Sequence, residues 1–150
     1  MSNNEEYMSL ALDEAEKAIG YGEVPVGALL VVDNKIISKS HNMVIRNHDP
    51  TAHAEINVIR DSCEIMKNYR LTGARIFVTL EPCTMCYGAI VHSRVSEIIF
   101  GASDTKIGAC GSCTDFSKTN FFNHRPKITG GVLEQECSII MKDFFKSRRA

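Results

Sequence analysis

Two short stretches constrain this chain more than anything else in it: Asp49-Pro50-Thr51-Ala52-His53-Ala54-Glu55 and Pro82-Cys83-Thr84-Met85-Cys86. The first offers one imidazole and one carboxylate. The second offers two thiols three positions apart. One His and two Cys make three soft or borderline ligands, a set that suits zinc. A structural zinc site closes with a fourth protein ligand, whereas a catalytic one leaves that position to water. In the catalytic case Glu55, two residues from His53, is placed to handle the water's protons.

The spacing tests this reading. Successive helix residues turn by about 100°, so His53 and Glu55 could not share a face in the middle of a helix. At a helix start side chains lean toward the N-terminus and can converge beyond its end. Asp49 is a good N-cap and Pro50 suits a first helical position, so a helix is expected from about Pro50 to Lys67. After Pro82, Cys83 and Cys86 at i and i+3 fall on one face of a first turn. Two helix starts would then aim their positive ends at one spot, which favours thiolates. Each motif alone has a commonplace alternative. A lone H-x-E is usually a solvated helix face, and a lone C-x-x-C is a redox pair or half of a structural zinc site. Their joint occurrence, each at a predicted helix start, favours one shared site.

The 150 residues fit one domain, 1–150, with a real core. No apolar run approaches membrane-spanning length. Met1 to Glu6 are polar and acidic, so no secretory signal is read there. Six cysteines in a metal-type pattern then point to a reduced, cytoplasmic setting. The net charge of -1 argues against a general nucleic-acid binder. The charge is uneven, however: residues 101–150 are net +3 and end Lys146-Ser147-Arg148-Arg149. That end reads equally well as a solvated helix terminus or as a phosphate contact.

Along the chain, Met8, Leu12, Ala15 and Ile19 recur at helical spacing from about Asn4 to Gly20. Val26 to Val32 is a continuous apolar run, as in a strand buried on both faces. Asp33-Asn34 is a turn signal, and Lys35 to Lys39 returns as an antiparallel partner. Within the Pro50–Lys67 helix the expected stripe is Ile56, Ile59, Cys63 and Met66, which makes Cys63 a core residue rather than a ligand. Strands at Arg75 to Leu80 and Glu97 to Phe100 flank a helix from Thr84 to Ser93, which implies parallel pairing. The site then lies at strand carboxyl ends. Residues 101–126 read as a long irregular stretch, and loops of that length are usually functional or disordered. The stretch holds a second C-x-x-C, Cys110-Gly111-Ser112-Cys113. A short fifth strand, broken by Gly130-Gly131, is expected within Lys127 to Leu133, and a last helix from Glu134 to Arg149. That helix has Cys137, Ile140, Met141 and Phe144 inward and Phe145 one step off the stripe.

With both motifs placed, a family resemblance is visible. H-x-E and P-C-x-x-C together resemble the cytidine/deoxycytidylate deaminase superfamily. A closer likeness, to the bacterial deaminases that act on adenosine in transfer RNA, is carried by Gly22 to Ala28, Asn42, His48 to Glu55, Asn68 to Leu71, Val78 to Cys83 and Met85-Cys86. His92 to Arg94, Phe100 to Ala102, Asp104, Lys106, Gly108-Ala109, Gly111-Ser112, Asn123 to Arg125 and Asp143 to Phe145 extend it over nearly the whole chain. The resemblance implies a three-layer α/β/α sandwich with a mixed five-stranded sheet, and a homodimer. It implies conversion of adenosine to inosine at the wobble position of a tRNA anticodon stem-loop. His53, Cys83 and Cys86 would hold one zinc, and Glu55 would carry protons. Asn42 would contact the target nucleoside, Asp104 and Lys106 its neighbours, and Phe145 and Arg149 would join the RNA surface. Cys110 and Cys113 depart from the pattern, standing where small or apolar residues are expected.

Two rival readings follow from the same residues. A deaminase of free guanine, cytosine or cytidine would use the same chemistry and leave the basic C-terminal end incidental. A binding module with a structural zinc would use Cys83, Cys86, Cys110 and Cys113, leaving His53 free. The bland roles are an Asn42 that satisfies loop backbone, an Asp104 that caps a turn, and Lys106 and Arg149 as solvated charges.

Overall fold

In the computed structural model, which describes residues 3–120 and 122–149, the first long apolar run forms strand β1 (Gly27–Val32). Its side chains alternate between two cores: Ala28 and Leu30 enter one, Leu29 and Val31 the other. This is why the run is apolar throughout instead of alternating. Asp33 and Asn34, at φ 51° and 62°, make the left-handed pair of a two-residue hairpin turn into β2 (Lys35–His41). β3 (Arg75–Leu80) flanks β1 antiparallel on the other side. β4 (Glu97–Ala102) and β5 (Lys127–Thr129) then add in parallel, in the order β2-β1-β3-β4-β5.

Helices cover both faces of this mixed five-stranded sheet. α1 (Asn3–Ile19) and α4 (Glu134–Arg149) lie on one, where Met8, Ala11 and Cys137 pack with Leu29, Phe77 and Ile99. α2 (Ala54–Met66) and α3 (Thr84–His92) lie on the other, where Ala54, Val58, Tyr87 and Ile90 pack with Leu30, Ile76 and Ile98. The result is the expected α/β/α sandwich. Among the described residues no helix is long and apolar enough to cross a membrane.

Several boundaries differ from the sequence expectation. α2 begins at Ala54, not Pro50, and its N-cap is His53. Asp49 caps a local turn instead: its Oδ1 accepts from the amide and hydroxyl of Thr51, 2.9 and 2.7 Å away. Of the expected α2 stripe, Ile56 is buried and Ile59 and Cys63 pack partly buried against the core, but Met66 is exposed, and Ala54, Val58 and Ser62 are buried as well. Ser62 is tolerated inside because its hydroxyl pairs with that of Ser38 at 2.6 Å. α1 turns Met8, Ala11, Ala15 and Ala18 inward and leaves Ile19 exposed. The stretch 101–126 is not wholly irregular, because it continues β4 to Ala102 and holds a 3₁₀ turn at Phe116–Lys118. β5 covers Lys127–Thr129 and ends at the Gly130-Gly131 break, as expected.

Candidate active site

The two helix starts do converge. His53 and Cys83 are the N-cap residues of α2 and α3, each with extended φ/ψ. Their carbonyls accept the first helical bonds, from Asn57 and Tyr87. Neither side chain caps its own helix, so both are left to point past the helix ends. The duty of capping α2 falls to Asn42, whose Oδ1 accepts from the Ala54 amide at 2.9 Å.

His53 Nδ1 lies 3.8 Å from Cys83 Sγ and 3.5 Å from Cys86 Sγ. A tetrahedral zinc at ordinary Zn–N and Zn–S lengths sets its nitrogen and sulfur donors about 3.6 Å apart. Both nitrogen–sulfur distances therefore match what the ion requires. Among the described residues this is the one group of three or more His, Cys, Asp or Glu donors close enough together to share a metal. Cys110 and Cys113 stay outside it, so the four-thiolate reading is not realised. Cys110 is buried, which pushes its thiol up to about 12, and Cys113 is exposed.

Electrostatics prepare the same spot. The Cys83 thiol is held down at about 4, chiefly by the hydrogen bond from Cys86, against the opposing effect of burial and with help from His53. Cys86 moves upward in exchange, because it faces the Cys83 sulfur and is itself buried. Glu55 is 4% exposed, and burial is the main cause that raises its carboxyl to about 7. A cation held by the neighbouring donors lowers that value again.

These residues open onto a cavity of about 660 Å³, within the size range of small-molecule sites. His53, Glu55 and Cys83 share its lining with Asn42, Asp104, Lys106 and Phe145. Val24, Val26, Leu80 and Met141 supply its apolar surface. Asp104 does cap a turn, its Oδ1 accepting from the amides of Lys106 and Ile107, while also facing the cavity. Phe145 is 44% exposed at the rim. Arg149 is exposed on α4 and outside the lining. Its neighbour Arg148 instead donates to the Gly22 carbonyl at 2.8 Å and packs on the Phe144 ring.

Residues 1–102 match the cytidine and deoxycytidylate deaminase zinc-binding region. A tRNA-specific adenosine deaminase of Haemophilus influenzae is 49% identical over 97% of this chain and 85% of its own length. The Bacillus subtilis protein of the same description is 44% identical over 99% and 92%. The chain belongs to the tRNA-specific adenosine deaminase family. A solved structure from work on A-to-I editing by tRNA:A34 deaminases at the wobble position superposes with a TM-score of 0.88 at 44% identity, covering 90% of this chain and 98% of that one. This deaminase family thus accounts for the donor set, the cavity and the sheet that carries them. Sequence reasoning missed Glu81, a buried carboxylate in the cavity wall whose partners lie far along the chain.

Proposed function

We propose that this chain converts adenosine to inosine at the wobble position of a tRNA anticodon stem-loop, with water as co-substrate and ammonia as product. The observation that carries the reading is the make-up of one cavity. Its floor holds His53, Cys83 and Glu55, and its rim holds exposed Lys106, Lys142 and Phe145. A floor for one base and a basic, aromatic rim suit a nucleotide presented on a larger RNA. Near-full-length identity to tRNA-specific adenosine deaminases supports the same substrate.

His53, Cys83 and Cys86 would hold zinc. When bound, that ion lowers the pKa of a water to about 7 and so makes it a nucleophile at neutral pH. Glu55 carries the protons. Its carboxylate takes one from the attacking water and gives it to ring N1, which makes C6 electrophilic. It then takes the proton remaining on the oxygen now bonded to C6 and delivers it to the exocyclic nitrogen, which leaves as ammonia as the C6 carbonyl forms. Asn42, with Oδ1 committed to α2, has its amide NH₂ left to donate to the target nucleoside. Asp104 and Lys106 face the flanking nucleotides, and Phe145 and Arg149 extend the RNA surface along α4. An unpaired loop base is cheaper to extrude than a stacked one, which suits an anticodon loop.

The enzyme works in the cytoplasm, where its RNA is, as one domain per subunit of a homodimer. Exposed apolar Ile65 and Met66 at the end of α2, with Tyr69 just beyond it, offer a surface for pairing. The deciding experiment compares turnover of a short anticodon stem-loop with that of free adenosine, guanine and cytidine. Inosine formed in the stem-loop alone is the expected result. Preferential turnover of a free base would replace the reading by a free-base deaminase.

A further inference from the structure

Glu81 follows β3 directly and is 2% exposed, yet no cation neutralises it among the described residues. Both its oxygens are occupied by one loop. Oε1 accepts from the Asp104 amide at 3.0 Å and from the Ser112 hydroxyl. Oε2 accepts from the amides of Cys110 at 2.8 Å and Ser112 at 3.2 Å. A carboxylate offers about four acceptor positions, so all are used. Gly108 makes the approach possible, since a Cβ there would stand 2.4 Å from the Glu81 carboxyl carbon. The same loop lies on the metal-donor strand end, with the Ala109 amide on the Pro82 carbonyl at 2.9 Å and Gly108 bridged to Cys83.

We propose that Glu81 is a positioning residue that sets the register of the 104–112 loop against the metal donors. The inference rests on the stem-loop reading above. The linkage runs in three steps. Glu81 holds the Asp104 amide, the Asp104 carboxylate holds the amides of Lys106 and Ile107, and that turn forms the cavity wall. Only one residue, Pro82, separates Glu81 from Cys83, so the wall that meets the RNA is tied to the reacting centre through a rigid dipeptide. Its four hydrogen bonds also leave Glu81 no free lone pair for moving protons, which separates its role from that of Glu55. Glu81 therefore governs how well the RNA is held, not the chemical step.

The test is Glu81→Gln in the zinc-loaded full chain. An amide has one oxygen where the carboxylate has two. The least costly placement sets the NH₂ at the Oε1 position, where the Ser112 hydroxyl can turn and accept. The Asp104 amide then loses its acceptor. Expected are unchanged zinc per chain and backbone hydrogen exchange about 10-fold faster at 104–107. KM for the stem-loop RNA should rise about 10-fold with kcat within about 3-fold of wild type. Ser112→Ala, at an exposed position, removes one donor and should raise KM about 3-fold with kcat unchanged; it decides alone if Glu81→Gln does not fold. Wild-type exchange and KM, or a fall in kcat at constant KM, would each overturn the proposal, and if Glu81→Gln loses zinc and structure throughout, a wild-type KM in Ser112→Ala overturns it. If the wild-type enzyme itself ignores the stem-loop, the substrate reading fails, while exchange at 104–107 still decides whether Glu81 anchors the loop.

Discussion

The Nδ1 atom of His53 lies 3.5 Å from Sγ of Cys86, although 33 residues separate them in the chain. Two helix N-termini meet to make that contact, and no other described cysteine besides Cys83 joins it. Replacing Cys86 with Ala leaves one nitrogen and one sulfur to grip the ion. Zinc affinity should fall by more than the roughly 10- to 100-fold that supporting groups cost when removed. Metal analysis after dialysis against a weak chelator measures this. Substituting both Cys110 and Cys113 with Ser should leave zinc content at its wild-type level.

Glu55 sits in the same pocket but outside the group of three donors close enough to share an ion. Glu55→Ala should keep zinc and lose turnover by about 10²- to 10⁴-fold, the range that a positioned acid–base group supplies. The two readouts belong on one sample, with inosine in the stem-loop measured against metal per chain. Zinc lost together with activity would make Glu55 a ligand instead of a proton carrier.

The metal donors are legible in the sequence because their chemistry is local: spacing, helix-start signals and ligand type all sit within a few residues. The strands are legible for a similar reason, since β1 is apolar on both faces and Asp33-Asn34 marks its turn. Other features depend on partners that spacing does not reveal. Asp49 and Asn42 carry the same kind of side-chain oxygen, and nothing in the sequence says that Asp49 serves Thr51 while Asn42 serves Ala54. Glu81 binds backbone amides 23 to 31 residues away, which leave no mark in residue type. The inward face of α1 differs from its apolar stripe because large side chains draw the pattern toward Ile19, whereas alanines make the contact.

Gly27 lies where the backbone of α1 comes closest to the sheet. A Cβ there would stand 2.0 Å from the Ala11 carbonyl oxygen and 2.6 Å from the Ala15 amide nitrogen, so α1 rests directly on the start of β1. Gly27→Ala must push the helix off the sheet and should cost about 1–3 kcal/mol. Gly88 in α3 is the counter-case, because a Cβ added there would meet no atom within 4 Å. Gly88→Ala should gain about 0.5–1 kcal/mol through helix propensity. Thermal unfolding of the two variants should therefore shift in opposite directions.

Glu14 makes stability depend on pH. It is buried on α1, and its carboxylate accepts from Lys17 Nζ at 2.7 Å and His41 Nδ1 at 3.1 Å. Arg46 Nη2 lies 2.8 Å from His41 Nε2, and a guanidinium only donates, so Nε2 accepts and Nδ1 holds the hydrogen given to Glu14. Burial alone would raise the Glu14 carboxyl. The hydrogen bonds from Lys17 and His41, with the Lys17 charge, outweigh it and hold the group below its ordinary 4.5. The unfolded chain therefore takes up this proton at a higher pH than the folded one. The stability it contributes is fully present above the unfolded value and is lost as pH falls through the lower folded value. Glu14→Gln cannot titrate there. Thermal midpoints followed from about pH 6 to about pH 3 should fall more steeply for wild type than for Glu14→Gln, the two converging at the acid end. Parallel curves would show that another carboxylate sets the acid limit.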